Sequence, residues 1–328
     1  MPSKRVTIEK LFKKLEKLFL RDEPELLNNL RRLGPCNKFK TWTPLKLIGL
    51  LYVLNPYLTI VNKALKQNYR DIQIFYIDLF SGSGLNEVSS NKMGKQPVMI
   101  GSPLVAIETA CNSPCRFDLM FFNDADESCC DALRERLAYL EKFEKYSWIK
   151  GKWKVLNLDV NKAVDSILSE LPKFANSFLF VDPYKWEIEW SQLEKILRLN
   201  GDALIIHQAK LIAKEIGRKS NLTPDVRAKI ENYLGEKIEN LTGSEEDVKS
   251  KYIGKIKSIK GYVNPVLVKK TGGESNFRYY LIFATKKENP PWKDVVEGMK
   301  QLVESTSGED VETCLLRKIG EQPWLEDF

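Results

Sequence analysis

The chain has 328 residues, 43% of them apolar, and a formal net charge of +7. That length and composition support a sizeable core and exclude bulk disorder. The charge is uneven: residues 1–70 hold 15 Lys/Arg against 5 Asp/Glu, a surplus of 10, so the remainder is about −3. The basic character lies in one segment, which suits a surface that meets a polyanion.

The N-terminus shows no apolar signal region, and a cytoplasmic location is expected. The longest apolar stretch, Leu45 to Val61, is broken by Lys46, Asn55 and Pro56. No transmembrane helix is expected from it. Residues 7–20 set Leu11, Phe12, Leu15, Leu18 and Phe19 at helical spacing. A second helix is predicted from about Pro44 to Gln67, bent at Asn55-Pro56. Residues 1–70 thus read as a basic, all-helical segment.

The pattern changes at residue 72. Short apolar runs of strand length appear at "IQIFYIDLF", "FDLMFFND", "WKVLNLD", "NSFLFVDPY" and "DALIIHQ". Helical stretches separate them at residues 103–111, 128–143, 162–171 and 190–199. Strands alternating with helices predict a parallel sheet covered on both faces. Residues 213–260 then read as a helical insert. Thr223 is its expected first N-cap, with Pro224 opening the helix. A second insert helix turns basic at Lys249, Lys251, Lys255, Lys257 and Lys260. Two closing strands, Val263–Lys269 and Arg278–Lys286, flank "TGGES", and a last helix covers about Trp292 to Glu304. The expected layout is residues 71–212 with 261–328 as the main α/β domain, 1–70 and 213–260 being helical additions.

Six cysteines form no framework: the adjacent Cys129 and Cys130 lack CxxC spacing, and the single histidine, His207, completes no metal set. No metal site is expected.

The chemistry concentrates at strand ends. In "YIDLFSGSG", Gly82 and Gly84 permit positive φ and close approach of a ligand to the backbone. Asp78 precedes the turn, and no P-loop lysine follows it. Asp124, Asp159 and Asp182 end the next three strands, and a parallel sheet brings such residues to one rim. A carboxylate after the second strand can hold both ribose hydroxyls; one after the third can reach an adenine amine. Each acid has a plainer reading as a helix cap, with Asp126 and Asp159 suited to that role.

Together "DLFSGSG", "NDAD", "NLD" and "VDPYKW" resemble the class I S-adenosylmethionine-dependent methyltransferases. With "IGSPLVAIE" they are more specifically similar to the three-Cys-motif partner (TcmP) family, over residues 40–290. The resemblance implies a Rossmann-like, seven-stranded, mostly parallel sheet with an antiparallel pair near its end. It implies S-adenosyl-L-methionine as cofactor. Asp78, Phe80 and the turn Ser81, Gly82 and Gly84 would meet its methionine part, Asp124 its ribose and Asp159 its adenine. It also implies association with a three-cysteine-motif protein. The chain departs from the pattern in the 40 residues from Gly84 to Asp124. The excess, residues 85–101, precedes a helix expected to be capped by Ser102, and reads as a lid or a plain surface loop.

"DPYKW" is similar to the D-P-P-Y loop of methyltransferases that modify exocyclic amines of nucleobases, with the second proline missing. Asp182 and the Pro183 carbonyl would accept the N–H bonds of the amine, and Tyr184 would stack the base, with Trp186 as an alternative. Lys185 would reach a phosphate or simply be solvated. His207, just past the fifth strand, is expected on the same rim. The expected activity is N-methylation of a nucleobase in RNA or DNA, with the N-terminal segment and the Lys249–Lys260 helix gripping phosphates. Two alternatives stand beside it: methylation of a protein or small molecule, and a non-catalytic cofactor-binding module.

Overall fold

The computed structural model describes residues 4–20, 23–66, 72–89, 96–218, 222–269, 278–286 and 292–318. In chain order the elements are α1 (Lys4–Lys17), α2 (Pro24–Arg32), β1 (Asn37–Lys40), α3 (Thr43–Lys66), β2 (Ile74–Asp78), β3 (Leu85–Ser89), β4 (Val98–Ile100), α4 (Ser102–Cys111) and β5 (Leu119–Asn123). They continue with α5 (Glu127–Leu140), β6 (Trp153–Leu156), α6 (Val160–Glu170), β7 (Asn176–Val181), α7 (Trp190–Leu197), β8 (Asn200–His207) and α8 (Ala209–Gly217). The last are α9 (Pro224–Leu234), α10 (Glu245–Lys260), β9 (Tyr262–Lys269), β10 (Arg278–Thr285), α11 (Trp292–Glu304) and α12 (Gly308–Lys318).

Seven strands form the main sheet in the order β6-β5-β2-β7-β8-β10-β9. β2 pairs in parallel with both β5 and β7, and β10 runs antiparallel to both β8 and β9. This is the expected Rossmann-like, mostly parallel seven-stranded sheet, with its antiparallel pair near one edge. The strand order reverses at β2 and β7, which opens a crevice at the carboxyl ends of the strands. The "TGGES" turn between the last two strands falls outside the described residues.

Period-two alternation divides the core. Ile74, Tyr76, Phe178, Phe180, Leu204 and Ile206 face a layer that includes α3, α4 and α11. Phe75, Ile77, Leu179, Val181, Ala203 and Ile205 face the other layer, with α6 to α10. Thr223 caps α9 as expected, its hydroxyl accepting from the Val226 amide, and Pro224 opens the helix. Asp126 and Asp159 cap α5 and α6 in the same way.

Three expectations are corrected. Residues 1–70 are not helical throughout, because β1 pairs in parallel with β3, which pairs with β4 in a separate three-stranded sheet. The ends of the 85–101 insert are therefore strands, with Leu85, Val88, Met99 and Ile100 buried. Ser102 is not the cap of α4: Gly101 holds that position, and the Ser102 hydroxyl bonds to Asp78 instead.

The apolar run also passes a test it was expected to fail. Thr43–Leu65 is long and apolar enough to cross a membrane, with mean hydropathy 1.4. Of its most apolar 18-residue window 67% is buried inside the fold, so its apolar surface serves the core. α3 continues through Pro56.

Candidate functional site

A cavity of about 920 Å³ opens at the carboxyl ends of β2, β5 and β7. That lies at the upper end of the ~300–1,000 Å³ range of small-molecule sites. One side is formed by the strand tips: Phe80, Ser81, Gly82, Asn123, Asp124, Asp159, Asp182, Pro183 and Tyr184. The other is formed by the N-terminal segment through β1 and the start of α3, with Phe39, Trp42 and Lys46.

The glycine turn is held from two directions. Gly82 has φ +56°, a left-handed conformation that L side chains rarely adopt. A Cβ there would lie 2.6 Å from Asn37 Oδ1. That oxygen accepts from the Ser83 amide and hydroxyl, both at 2.8 Å. Asn37 thereby ties β1 to the turn. From the other direction, the buried Arg136 of α5 donates to three carbonyls: Ser83 at 2.6 Å, Gly34 at 2.8 Å and Leu30 at 3.0 Å. Sequence reasoning found neither residue, since their partners lie about 50 or more positions away.

The predicted acids separate by depth. Asp124 lines the cavity, its carboxylate accepting from the amides of Gly82 at 2.8 Å and Asp126 at 3.0 Å. Asp159 is exposed on the cavity and accepts from the Asn161 amide at 3.0 Å. The cap role is thus real and leaves the residue at the site. Asp78 is fully buried and is not part of the cavity lining. Burial pushes its pKa up to about 7; the bonds from Ser102 and the Phe80 amide oppose the rise, and the charges of Asp182 and Asp124 add to it. Gly84 likewise lies behind the lining, where a Cβ would meet Leu133 at 2.8 Å. Both residues thus stand behind the cavity lining in this structure.

In the fourth motif, Asp182 Oδ2 lies 2.5 Å from Lys46 Nζ, with both side chains about 15% exposed (14% and 15%). The same ammonium sits 5.2 Å from the Phe39 ring centroid. Tyr184 lines the cavity and is 79% exposed. Gln208 Nε2 donates to the Tyr184 carbonyl at 2.9 Å and reaches the Pro183 carbonyl at 3.5 Å. Lys185 is exposed, its Nζ 5.9 Å from the rings of both Tyr184 and Trp186. Trp186 packs against the second core layer and does not line the cavity.

His207 is not on the rim. It continues the inward face of Ala203 and Ile205, is fully buried, and stacks on Tyr252 with centroids 4.2 Å apart. Its Nδ1 pairs with the Tyr233 hydroxyl at 2.9 Å, and burial lowers its pKa to about 3. Strand alternation, which the rim assignment ignored, explains the miss.

Among the described residues, no group of three or more His, Cys, Asp or Glu comes together to hold a metal. Cys111 accepts from the Trp148 indole and Cys115 bonds the Leu58 carbonyl, so the thiols serve separate contacts.

No protein-family model and no curated protein matches the chain. Solved structures do. A Legionella pneumophila protein of family DUF519 is 12% identical with a TM-score of 0.43, over 79% of this chain and 94% of its own. An O-methyltransferase from Bacillus cereus, in complex with SAH, is 12% identical with a TM-score of 0.34, over 71% and 91%. An rRNA methylase from Streptococcus thermophilus is 13% identical with a TM-score of 0.31, over 66% and 89%. None of the three lends this chain a chemistry, which rests on the site itself.

Proposed function

We propose that this chain is an S-adenosyl-L-methionine-dependent N-methyltransferase acting on an exocyclic amine of a nucleobase in RNA or DNA. One observation carries the reading: a single cavity gathers the glycine turn, Asp124, Asp159 and the D-P-Y loop, each from a different strand end. Its residues fit the cofactor. The Phe80–Gly82 backbone is left bare at Gly82, Asp124 can accept from a diol, and Asp159 is exposed to accept from a purine amine. When bound, the cofactor supplies an electrophilic methyl group on a sulfonium.

The chain's own residues orient the acceptor. Lys46 engages Asp182 through Oδ2, which leaves Oδ1 to accept an amine N–H. That bond localises the nitrogen lone pair, and Oδ1 can take the proton the amine sheds. The Pro183 carbonyl is a second acceptor, held in place by Gln208. Tyr184 offers an exposed ring on which an unpaired base can stack. Kinship with the TcmP family, and with it a three-cysteine-motif partner protein, belongs to this proposal; co-purification of such a partner tests it.

The direct experiment follows label from tritiated cofactor into RNA and DNA, then identifies the nucleoside by mass spectrometry. Asp182→Ala is expected to abolish transfer while cofactor affinity stays within a few-fold. Wild-type transfer by that variant overturns the assignment. Label that resists nucleases points instead to a protein or small-molecule acceptor.

A further inference from the structure

The sequence suggested two phosphate-gripping stretches, and the structure separates them. The lysines of α10 are almost all engaged within the fold. Lys249 pairs with Glu246 at 2.6 Å. Lys251 bonds the Asn240 carbonyl. Lys255 donates to the Leu234 and Gly235 carbonyls at 2.8 and 2.7 Å, closing the C-terminus of α9. Lys260 is buried and donates to the Leu199 and Gly201 carbonyls at 2.9 and 2.8 Å. Only Lys257 is left exposed on α10 without such a bond. That helix is a structural brace, and its role as a phosphate grip is corrected.

The cavity mouth differs. Lys38 and Lys40 alternate outward on β1, both exposed and both lining the cavity. Lys185 is exposed on the loop after β7, also on the lining. None of the three ammonium groups forms an ion pair among the described residues, although the Lys185 amide donates to the Glu187 carboxylate at 2.9 and 3.0 Å and Glu187 also lines the cavity. Their neighbours on the lining are aromatic: Phe39 and Trp42 beside the strand lysines, Tyr184 beside Lys185. The cavity is thus divided by sign. Asp124 and Asp159 lie at the strand tips and Lys38 and Lys40 on β1, while the D-P-Y loop carries both signs, Lys185 with Glu187. An anionic group is repelled from the first end and held at the second.

We propose that β1 and Lys185 form a phosphate-gripping rim for a single-stranded polynucleotide, which presents one base to Tyr184. This rests on the proposed activity and names the surface that delivers its substrate. Lys38 and Lys40 are two residues apart on a strand, so their Cα atoms stand about 6.6–6.8 Å apart. Two such cations can serve successive phosphates of an extended strand. Tyr184 is exposed and Phe39 and Trp42 are half-buried on the lining; aromatic rings next to cations form the stacking groove that single strands use. The segment that makes this rim is the same one that carries the surplus of positive charge.

The test measures anisotropy of a fluorescein-labelled, mixed-sequence single-stranded RNA, and of its DNA counterpart, across a salt series. The chain is expected to bind, and K38E/K40E to weaken binding at least about tenfold. Loss of two contacts at about 0.7 each reduces the salt slope by about 1.4. Lys257→Glu is expected to leave both quantities unchanged. A far-ultraviolet circular dichroism spectrum and melting temperature of K38E/K40E that match the wild type show that the fold is intact. RNA and DNA affinity unchanged in K38E/K40E overturns the rim, as does a poly-glutamate peptide that binds as tightly as RNA. The labelled-methyl assay separates the two readings. Transfer to nucleic acid with β1 irrelevant to binding sinks the rim alone. Binding through β1 with no transfer to any nucleic acid sinks the enzyme alone.

Discussion

Lys46 Nζ sits 2.5 Å from Asp182 Oδ2, joining the first turn of α3 to the end of β7. The pair spans 136 positions of sequence and ties the N-terminal segment to the D-P-Y loop. Both side chains are largely shielded, so removing one partner leaves a charge stranded in a poorly solvated place. K46M is therefore expected to destabilise the protein more than it destabilises a D182N background. A double-mutant cycle by urea denaturation should return a coupling of about 1–3 kcal/mol. A coupling near zero would mean that the pair is solvated and holds nothing.

Gly82 meets two constraints at once. An alanine there must adopt φ +56°, which costs about 1–2 kcal/mol, and must also clear Asn37 Oδ1 at 2.6 Å. Gly82→Ala is expected to lower stability by at least about 2 kcal/mol and to weaken S-adenosylhomocysteine binding. Adding Asn37→Ala relieves the contact but not the backbone strain, so the double variant should recover only part of the loss. Full recovery would show that the φ value is not what the site requires.

Arg136 bonds three backbone carbonyls and has no carboxylate partner among the described residues. Arg136→Met leaves those carbonyls unsatisfied and is expected to cost about 3 kcal/mol or more. Hydrogen exchange at residues 80–84 should accelerate in the variant, because Ser83 loses its anchor. Exchange unchanged there, with global stability lowered, would confine Arg136 to holding α2.

Asp78 keeps its proton to about pH 7 in the folded protein, against an ordinary value of 3.8. Between those values the folded state binds a proton that the unfolded chain has released. Stability from this group is full below about pH 4 and is withdrawn as pH rises toward 7, by a few kcal/mol in all. His207 acts in the opposite sense: its pKa falls from 6.5 to about 3, so it withdraws stability as pH drops below about 6.5. Asp78→Asn removes the first contribution and leaves the second. The difference between wild-type and variant melting curves should grow from pH 4 to pH 7 in favour of the variant. A flat difference would show that Asp78 is ionised in the fold.

Local chemistry is what the sequence displayed. Apolar runs of strand length, the Gly82 turn, acids at successive strand ends and the caps at Thr223, Asp126 and Asp159 all depend on neighbours a few positions away. A linear reading therefore reached the alternating sheet and the gathering of Asp124, Asp159, Asp182 and Tyr184 at one rim. Depth was less legible. Asp78 and His207 lie at strand ends like the others, yet their side chains fall on faces covered by α4 and by α9 with α10, and which helix covers which face is a long-range fact.

The tertiary structure alone decided the second wall of the cavity. Nothing near residues 37–46 announces that β1 joins a strand of the 85–101 insert, that Asn37 holds the glycine turn, or that Lys46 answers Asp182. It also sorted the lysines, engaging Lys249, Lys251, Lys255 and Lys260 of α10 within the fold and leaving the ammonium groups of Lys38, Lys40 and Lys185 without an ion pair among the described residues. Charge and aromaticity are properties of single residues and can be counted along a chain. Whether a charge is spent or available depends on the partners that folding brings within a few ångströms, and those partners are distant in sequence.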